Sequence, residues 1–138
     1  MVNRNDLQQI ALVRLKEAKA LLDSGLYDGA YYLSGYTIEC ALKACIAKQT
    51  KRYDFPNKRI ATDSYTHNLI QLVRVAGLQT ALDQEMRRDA IFTVNWAIVK
   101  DWTEESRYER HTQKIAEDIY NAIFNRRHGV LRWLKRHW

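Results

Sequence analysis

Residues 28–49, DGAYYLSGYTIECALKACIAKQ, constrain the fold more than any other stretch. At 3.6 residues per turn they divide into three helical faces. Ala30, Leu33, Thr37, Cys40, Ala41 and Ala44 form a face of mostly small residues; Tyr31, Ile38, Leu42 and Cys45 form a bulkier one. Tyr32, Tyr36, Glu39 and Lys43 form a polar-aromatic third. A helix that is apolar or aromatic nearly all round must be covered on most sides. This one is therefore central to a bundle, or shared with a second subunit. Asp28 is expected to cap its N-terminus. Gly29 and Gly35 lie inside it, and each costs about 1 kcal/mol against alanine in a helix interior. Something outside the helix must press on it closely enough to compensate.

The flanking sequence is helical too. A first helix is expected from 5 or 6 to 23, because Leu7, Ala11, Leu15, Ala18 and Leu22 recur on one face and Ser24-Gly25 supplies a stop. Residues 48–66 read as a long irregular crossover containing the only proline, Pro56. Loops of that length tend to be functional. A short helix follows over 66–76, with Leu69, Leu72 and Val73 inward and Gly77 as its stop. The next spans 79–100, with Leu82, Met86, Ala90, Val94 and Ala97 inward and Asp83–Arg87 as an i,i+4 pair. After a polar connection at 103–111, a last helix covers 112–136. It turns Ala116, Ile119, Ile123, Val130 and Leu134 inward and is open to a kink at Gly129. The expected fold is a single all-α domain over 1–138. It is an antiparallel up-and-down four-helix bundle with an extra short helix and one long basic crossover loop.

Composition narrows the function. With 46% hydrophobic and 28% charged residues the chain is neither disordered nor membranous, and no apolar run approaches the roughly 20 residues that span a bilayer. The first ten residues lack a signal-peptide pattern. Cys40 and Cys45 read as buried reduced thiols, so a cytoplasmic location is expected. The net charge of +6 is concentrated in two places. Residues 48–59 hold Lys48, Lys51, Arg52, Lys58 and Arg59 against Asp54 alone; residues 126–138 hold Arg126, Arg127, Arg132, Lys135 and Arg136 with no acid. The rest of the chain is net negative. Localised positive charge suits a phosphate-bearing partner, although the same residues also serve solubility.

The segment AKALLDSGLYDGAYYLSGYTIECALKACIAK (18–48) resembles the HEPN family, the higher eukaryotes and prokaryotes nucleotide-binding domain. THNLIQL (66–72), Trp102 with Arg107-Tyr108 in WTEESRY, and a closing helix ending in VLRWLK extend the resemblance over nearly the whole chain. It implies an antiparallel four-helix bundle that pairs as a homodimer, with Gly29, Ala30, Ser34 and Gly35 permitting close approach across the two-fold. It also implies a role with RNA or nucleotides, within a toxin–antitoxin or defence system and alongside a minimal nucleotidyltransferase. Many such proteins are metal-independent ribonucleases in which an Arg is followed, after a gap of four to six residues, by a His. The arginine fork can hold a phosphate, and the histidine can move the proton of the ribose hydroxyl.

Here the pattern departs. Arg107 and His111 are in the expected place but only three residues separate them, whereas Arg132 and His137 have the right gap at the chain end. The catalytic candidates are Arg107 and His111, with Tyr108 beside them. Glu39 either pairs with Lys43 on the surface or orients Arg107. The phosphate-binding candidates are Lys51, Arg52, Lys58, Arg59, Arg132, Lys135 and Arg136. Trp133 and Trp138 either stack on bases or belong to the core. The four histidines are scattered without metal-ligand spacing, so neither metal nor cofactor is expected. The leading expectation is a homodimer that binds nucleotide or RNA phosphates. Its rivals are an endoribonuclease toxin using Arg107 and His111, and a non-catalytic dimerisation scaffold.

Overall fold

The computed structural model describes residues 2–52 and 62–138, the side chains of Lys51 and Arg52 excepted. The expectations for Pro56, Lys58, Arg59 and those two side chains lie outside the described residues. Within them the chain is helical, with no strand. The α-helices are α1 (Arg4–Asp23), α2 (Tyr27–Arg52), α3 (Leu69–Val75), α4 (Gln79–Arg88), α5 (Ala90–Val99), α6 (Gln113–Phe124) and α7 (Val130–Lys135). A 3-10 turn spans Glu104–Tyr108. α2 is central, packing against α1, α3, the 3-10 turn, α6 and α7.

α1 begins in a capping box. The Asn3 side chain accepts from the Asp6 amide, and the Asp6 carboxylate accepts from the Asn3 amide. This satisfies two of the amides a helix start leaves without partners. α1 and α3 are followed by Gly25 and Gly77 at φ 76° and 69°, a left-handed conformation that side chains disfavour. α2 starts at Tyr27, so Asp28 is already in its first turn and does not cap it. Its Oδ1 instead accepts the backbone N–H of His111, at 2.5 Å.

Two long helices expected from the pattern are each divided. The 79–100 segment breaks at Asp89, whose backbone is extended (φ −133°, ψ 102°). Its Oδ1 accepts the amides of Ile91 and Phe92 at 3.0 Å each and so starts α5 as an N-cap. Its Oδ2 lies 2.6 Å from His128 Nδ1, and that hydrogen bond, followed by the Phe92 amide, holds the Asp89 carboxyl below the usual carboxylate range. The last helix breaks over residues 125–129, where Asn125 Oδ1 accepts the amides of Arg127 and His128 in an Asx turn. The two breaks face each other through Asp89 and His128. The expected Asp83–Arg87 ion pair does not form; Arg87 Nε donates to the Asp83 backbone carbonyl, and the Asp83 carboxylate takes Gln79.

The core follows the expected stripes on α1, α3, α6 and α7, where Ala11, Leu15, Ala18, Leu69, Leu72, Val73, Ala116, Ile119, Ile123, Val130 and Leu134 are buried, while Leu7 and Leu22 towards the ends of α1 are only half-buried. α5 is different. Its inward stripe is Phe92, Trp96 and Val99, while Ala90, Val94 and Ala97, expected inward, are exposed. Ile91 and Ile98 join them outside, so α5 is apolar on both sides.

The tight approach at α2 is made within the chain. Ala30 and Ser34 are fully buried, and a Cβ placed on Gly35 would lie 2.2 Å from Cδ1 and Cγ of the Trp102 ring. Trp102, 1% exposed, fills the space that the missing side chain leaves. Gly29 faces a Leu21 methyl at 3.0 Å. The small residues offered as a two-fold contact are therefore spent on intrachain packing.

Candidate functional site

Three sites gather the chemistry-bearing residues. The first is the segment from Trp102 to His111, laid against α2. Arg107 belongs to the 3-10 turn and is exposed, its guanidinium 4.8 Å from the centroid of the exposed Tyr108 ring. His111 follows the turn and precedes α6, which starts only at Gln113 with Thr112 as its N-cap. The two residues therefore do not share a helical face. The His111 side chain is 8% exposed and stacks on Tyr31, with ring centroids 3.9 Å apart and planes at 14°. Its Nε2 lies 3.6 Å from Glu109 and its Nδ1 3.9 Å from Asp28, both too long for a strong hydrogen bond. Among the described residues the buried side-chain atoms without a hydrogen-bond partner are Trp102 Nε1, Ser106 Oγ and His111 Nδ1, all in this segment. A general base has to reach its substrate, and here the imidazole is nearly buried and stacked on Tyr31, with its backbone tied to Asp28.

The second is built around Glu39, which is 2% exposed rather than on the surface. Its Oε2 meets Lys43 Nζ at 3.3 Å, as the i,i+4 spacing suggests. Its Oε1 meets His67 Nδ1 at 2.8 Å, and His67 Nε2 meets Glu104 Oε2 at 3.0 Å. The acid thus ties α2 to the residues before α3 and to the 3-10 turn, through His67 and not through Arg107. His67 carries no signal in the sequence that would pair it with a residue 28 positions away. Glu39 and Lys43 also line a broad groove of about 1240 Å³ beside α1, whose other walls include Leu7, Ile10, Tyr36, Cys40 and Ile46. Burial pushes the Cys40 thiol up to about 11 and Cys45 to about 12, so both are unreactive at neutral pH.

The third is the basic end. Arg126, Arg127, Arg132, Lys135 and Arg136 are all exposed. Arg132 Nη1 donates to the Arg127 carbonyl at 3.0 Å, and Arg136 Nη2 pairs with Glu85 at 3.1 Å. Arg126, Arg127, Arg132 and Lys135 have no carboxylate partner among the described residues. The Glu85 carboxyl, buried but bonded to Arg88 and Arg136, stays below its usual range. Trp133 is in the core against Phe92, and half-buried Trp138 packs against the core, its carbonyl accepting from Gln8. Among the described residues no three His, Cys, Asp or Glu side chains converge as a metal site, and no helix is long and apolar enough to cross a membrane.

An all-helical fold around one buried, glycine-bearing central helix defines the class. The HEPN domain family model matches residues 5–137, essentially the whole chain, and the protein belongs to the HEPN family. No individual curated protein and no solved structure matched it.

Proposed function

We propose that this HEPN protein binds RNA or nucleotide phosphates through its basic end and does not cleave RNA. One observation carries the reading: four exposed cations, Arg126, Arg127, Arg132 and Lys135, lie within ten residues with no acid paired to them among the described residues. The nearly buried His111, stacked on Tyr31, supports the second half, since it leaves Arg107 without a proton-transfer partner. The family supports reading the protein as a component of a toxin–antitoxin or defence system, with a minimal nucleotidyltransferase as its partner. The test is binding of labelled single-stranded RNA across a salt series. Each neutralised phosphate contributes about 0.7 to the log–log slope on single strands. Changing all four cations to Ala is expected to flatten the slope by up to about 3 and to weaken binding at least about a hundredfold. An unchanged slope removes the basic end from the site. Metal-independent cleavage that disappears in His111→Ala would return the protein to the endoribonucleases.

The protein pairs as a homodimer on this reading, through the outer face of α5 rather than the small residues of α2. Ile91, Val94 and Ile98 stand 53%, 59% and 37% exposed there, flanked by exposed Ala90 and Ala97. α5 contains no charged residue, so two copies of a +6 chain meet there without burying like charges. Wild type is expected to sediment as a dimer at micromolar concentration and Val94→Glu as a folded monomer. A monomeric wild type sinks this interface.

A further inference from the structure

A second, smaller site lies where the end of α2 meets the end of the chain. Cys45, Lys48 and Gln49 from α2, Ala76 and Leu78 from the α3–α4 junction, and Arg136 with His137 enclose a cleft of about 170 Å³. Its floor is apolar, since Cys45, Ala76 and Leu78 are buried. The Gln49 amide is tied to the Ala76 carbonyl, which leaves the two cations and the imidazole as its polar chemistry. Arg136 is steadied by Glu85, but that acid is already bonded through both oxygens to Arg88 at 2.8 Å. His137 is held edge-on by Trp133 at 5.1 Å and its backbone N–H donates to the Leu134 carbonyl.

We propose that this cleft binds a phosphate monoester, presented by a mononucleotide or by the 5′ end of an RNA. Two cations and an imidazole line one small space, and Glu85, shared with Arg88, offsets only part of their mutual repulsion, which an entering anion relieves. The volume is below the range of sites that enclose a drug-sized ligand, so a single group enters while the nucleoside stays outside. A dianion suits these three groups better than a chain phosphodiester, and an arginine fork beside a lysine is suited to a terminal phosphate. The state of His137 agrees: burial first, then the Arg136 and Lys48 charges, push its pKa below the usual histidine value, with only Glu85 opposing. The inference deepens the phosphate-binding reading and rests on it for RNA as one source of the ligand.

The experiment follows the His137 ring by NMR during additions of inorganic phosphate, AMP and adenosine. Alongside, it compares 5′-phosphorylated and 5′-hydroxyl RNA of one sequence. Phosphate and AMP are expected to shift His137 and raise its pKa, because a bound dianion favours the imidazolium, while adenosine leaves it unmoved. If the RNA end is the source, the 5′-phosphate tightens binding about tenfold. Lys48→Ala with Arg136→Ala, both at exposed positions, abolishes these responses at unchanged fold by circular dichroism. A 5′-phosphate that adds nothing, with AMP still acting on His137, assigns the cleft to mononucleotides. Salt-dependent RNA binding without any His137 response to phosphate or AMP overturns the cleft and leaves the basic-end reading intact. A His137 response with no RNA binding does the reverse.

Discussion

Gly35→Ala is expected to destabilise the protein by about 1–2 kcal/mol, although alanine is the better helix former. The added methyl would sit 2.2 Å from the Trp102 ring, far inside contact distance. Trp102 is fully buried and rigid, so the helix or the 102–108 segment must move. Overpacking of this kind costs about 1–3 kcal/mol, occasionally more, against about 1 kcal/mol gained from propensity. Gly29→Ala supplies the control. Its new methyl meets the far end of Leu21 at 3.0 Å, a side chain that can rotate, so the change is expected to be neutral or stabilising by up to about 1 kcal/mol. Urea unfolding of the two variants decides the matter, and in a Trp102→Leu background the Gly35→Ala penalty should shrink. A Gly35→Ala protein as stable as wild type would show that Trp102 is not seated against α2.

This contact also marks the boundary of what the sequence could reveal. A segment apolar nearly all round identifies a central helix by its pattern alone, and α2 is central. What covers each of its faces is a long-range fact. Trp102 is 67 positions from Gly35, and nothing in the local spacing pairs them. The resemblance therefore offered a subunit contact where the chain had its own tryptophan. The stripes on α1 and α6–α7 were legible because each helix carries one apolar face. On α5 two adjacent stripes are apolar, and periodicity cannot choose between Phe92–Trp96–Val99 and Ala90–Val94–Ala97. An acid hides the true continuation into α4, since Glu85 occupies an inward position by pairing with Arg88 and Arg136.

The candidate sites divide in the same way. Charge density is a local property, so the basic end was visible in the sequence and its residues are exposed. Which of those cations are engaged was not visible, because Glu85 lies 51 positions before Arg136. Arg107 and His111 read as part of the polar connection before the last helix, and the structure agrees: Arg107 lies in the 3-10 turn and α6 starts at Gln113 after its Thr112 cap. His111 was drawn inward by Tyr31, a partner that only the fold supplies.

Glu39 carries the second large expectation, a loss of about 2–3 kcal/mol on substitution by leucine. Removing one member of a buried ion pair typically costs about 3–5 kcal/mol, because its partner's charge is left without compensation. Here Lys43 and His67 are 22% and 42% exposed, so water can recover part of their hydration and the cost falls below that range. Leucine fills much the same volume, which separates the electrostatic loss from a cavity. Glu39→Gln retains the shape and an acceptor for one of the two partners, and is expected to cost about 1 kcal/mol, near the worth of a single hydrogen bond. Adding Lys43→Met to Glu39→Leu removes the stranded cation and should restore part of the stability. Urea unfolding of the three variants at neutral pH, with a His67→Ala cycle, measures the coupling across α2, the approach to α3 and the 3-10 turn. Since His67 also reaches Glu104, a coupling above about 1 kcal/mol between positions 39 and 67 is expected. Glu39→Leu matching wild type, with no coupling to His67, would mean that this buried acid does not hold those three elements together.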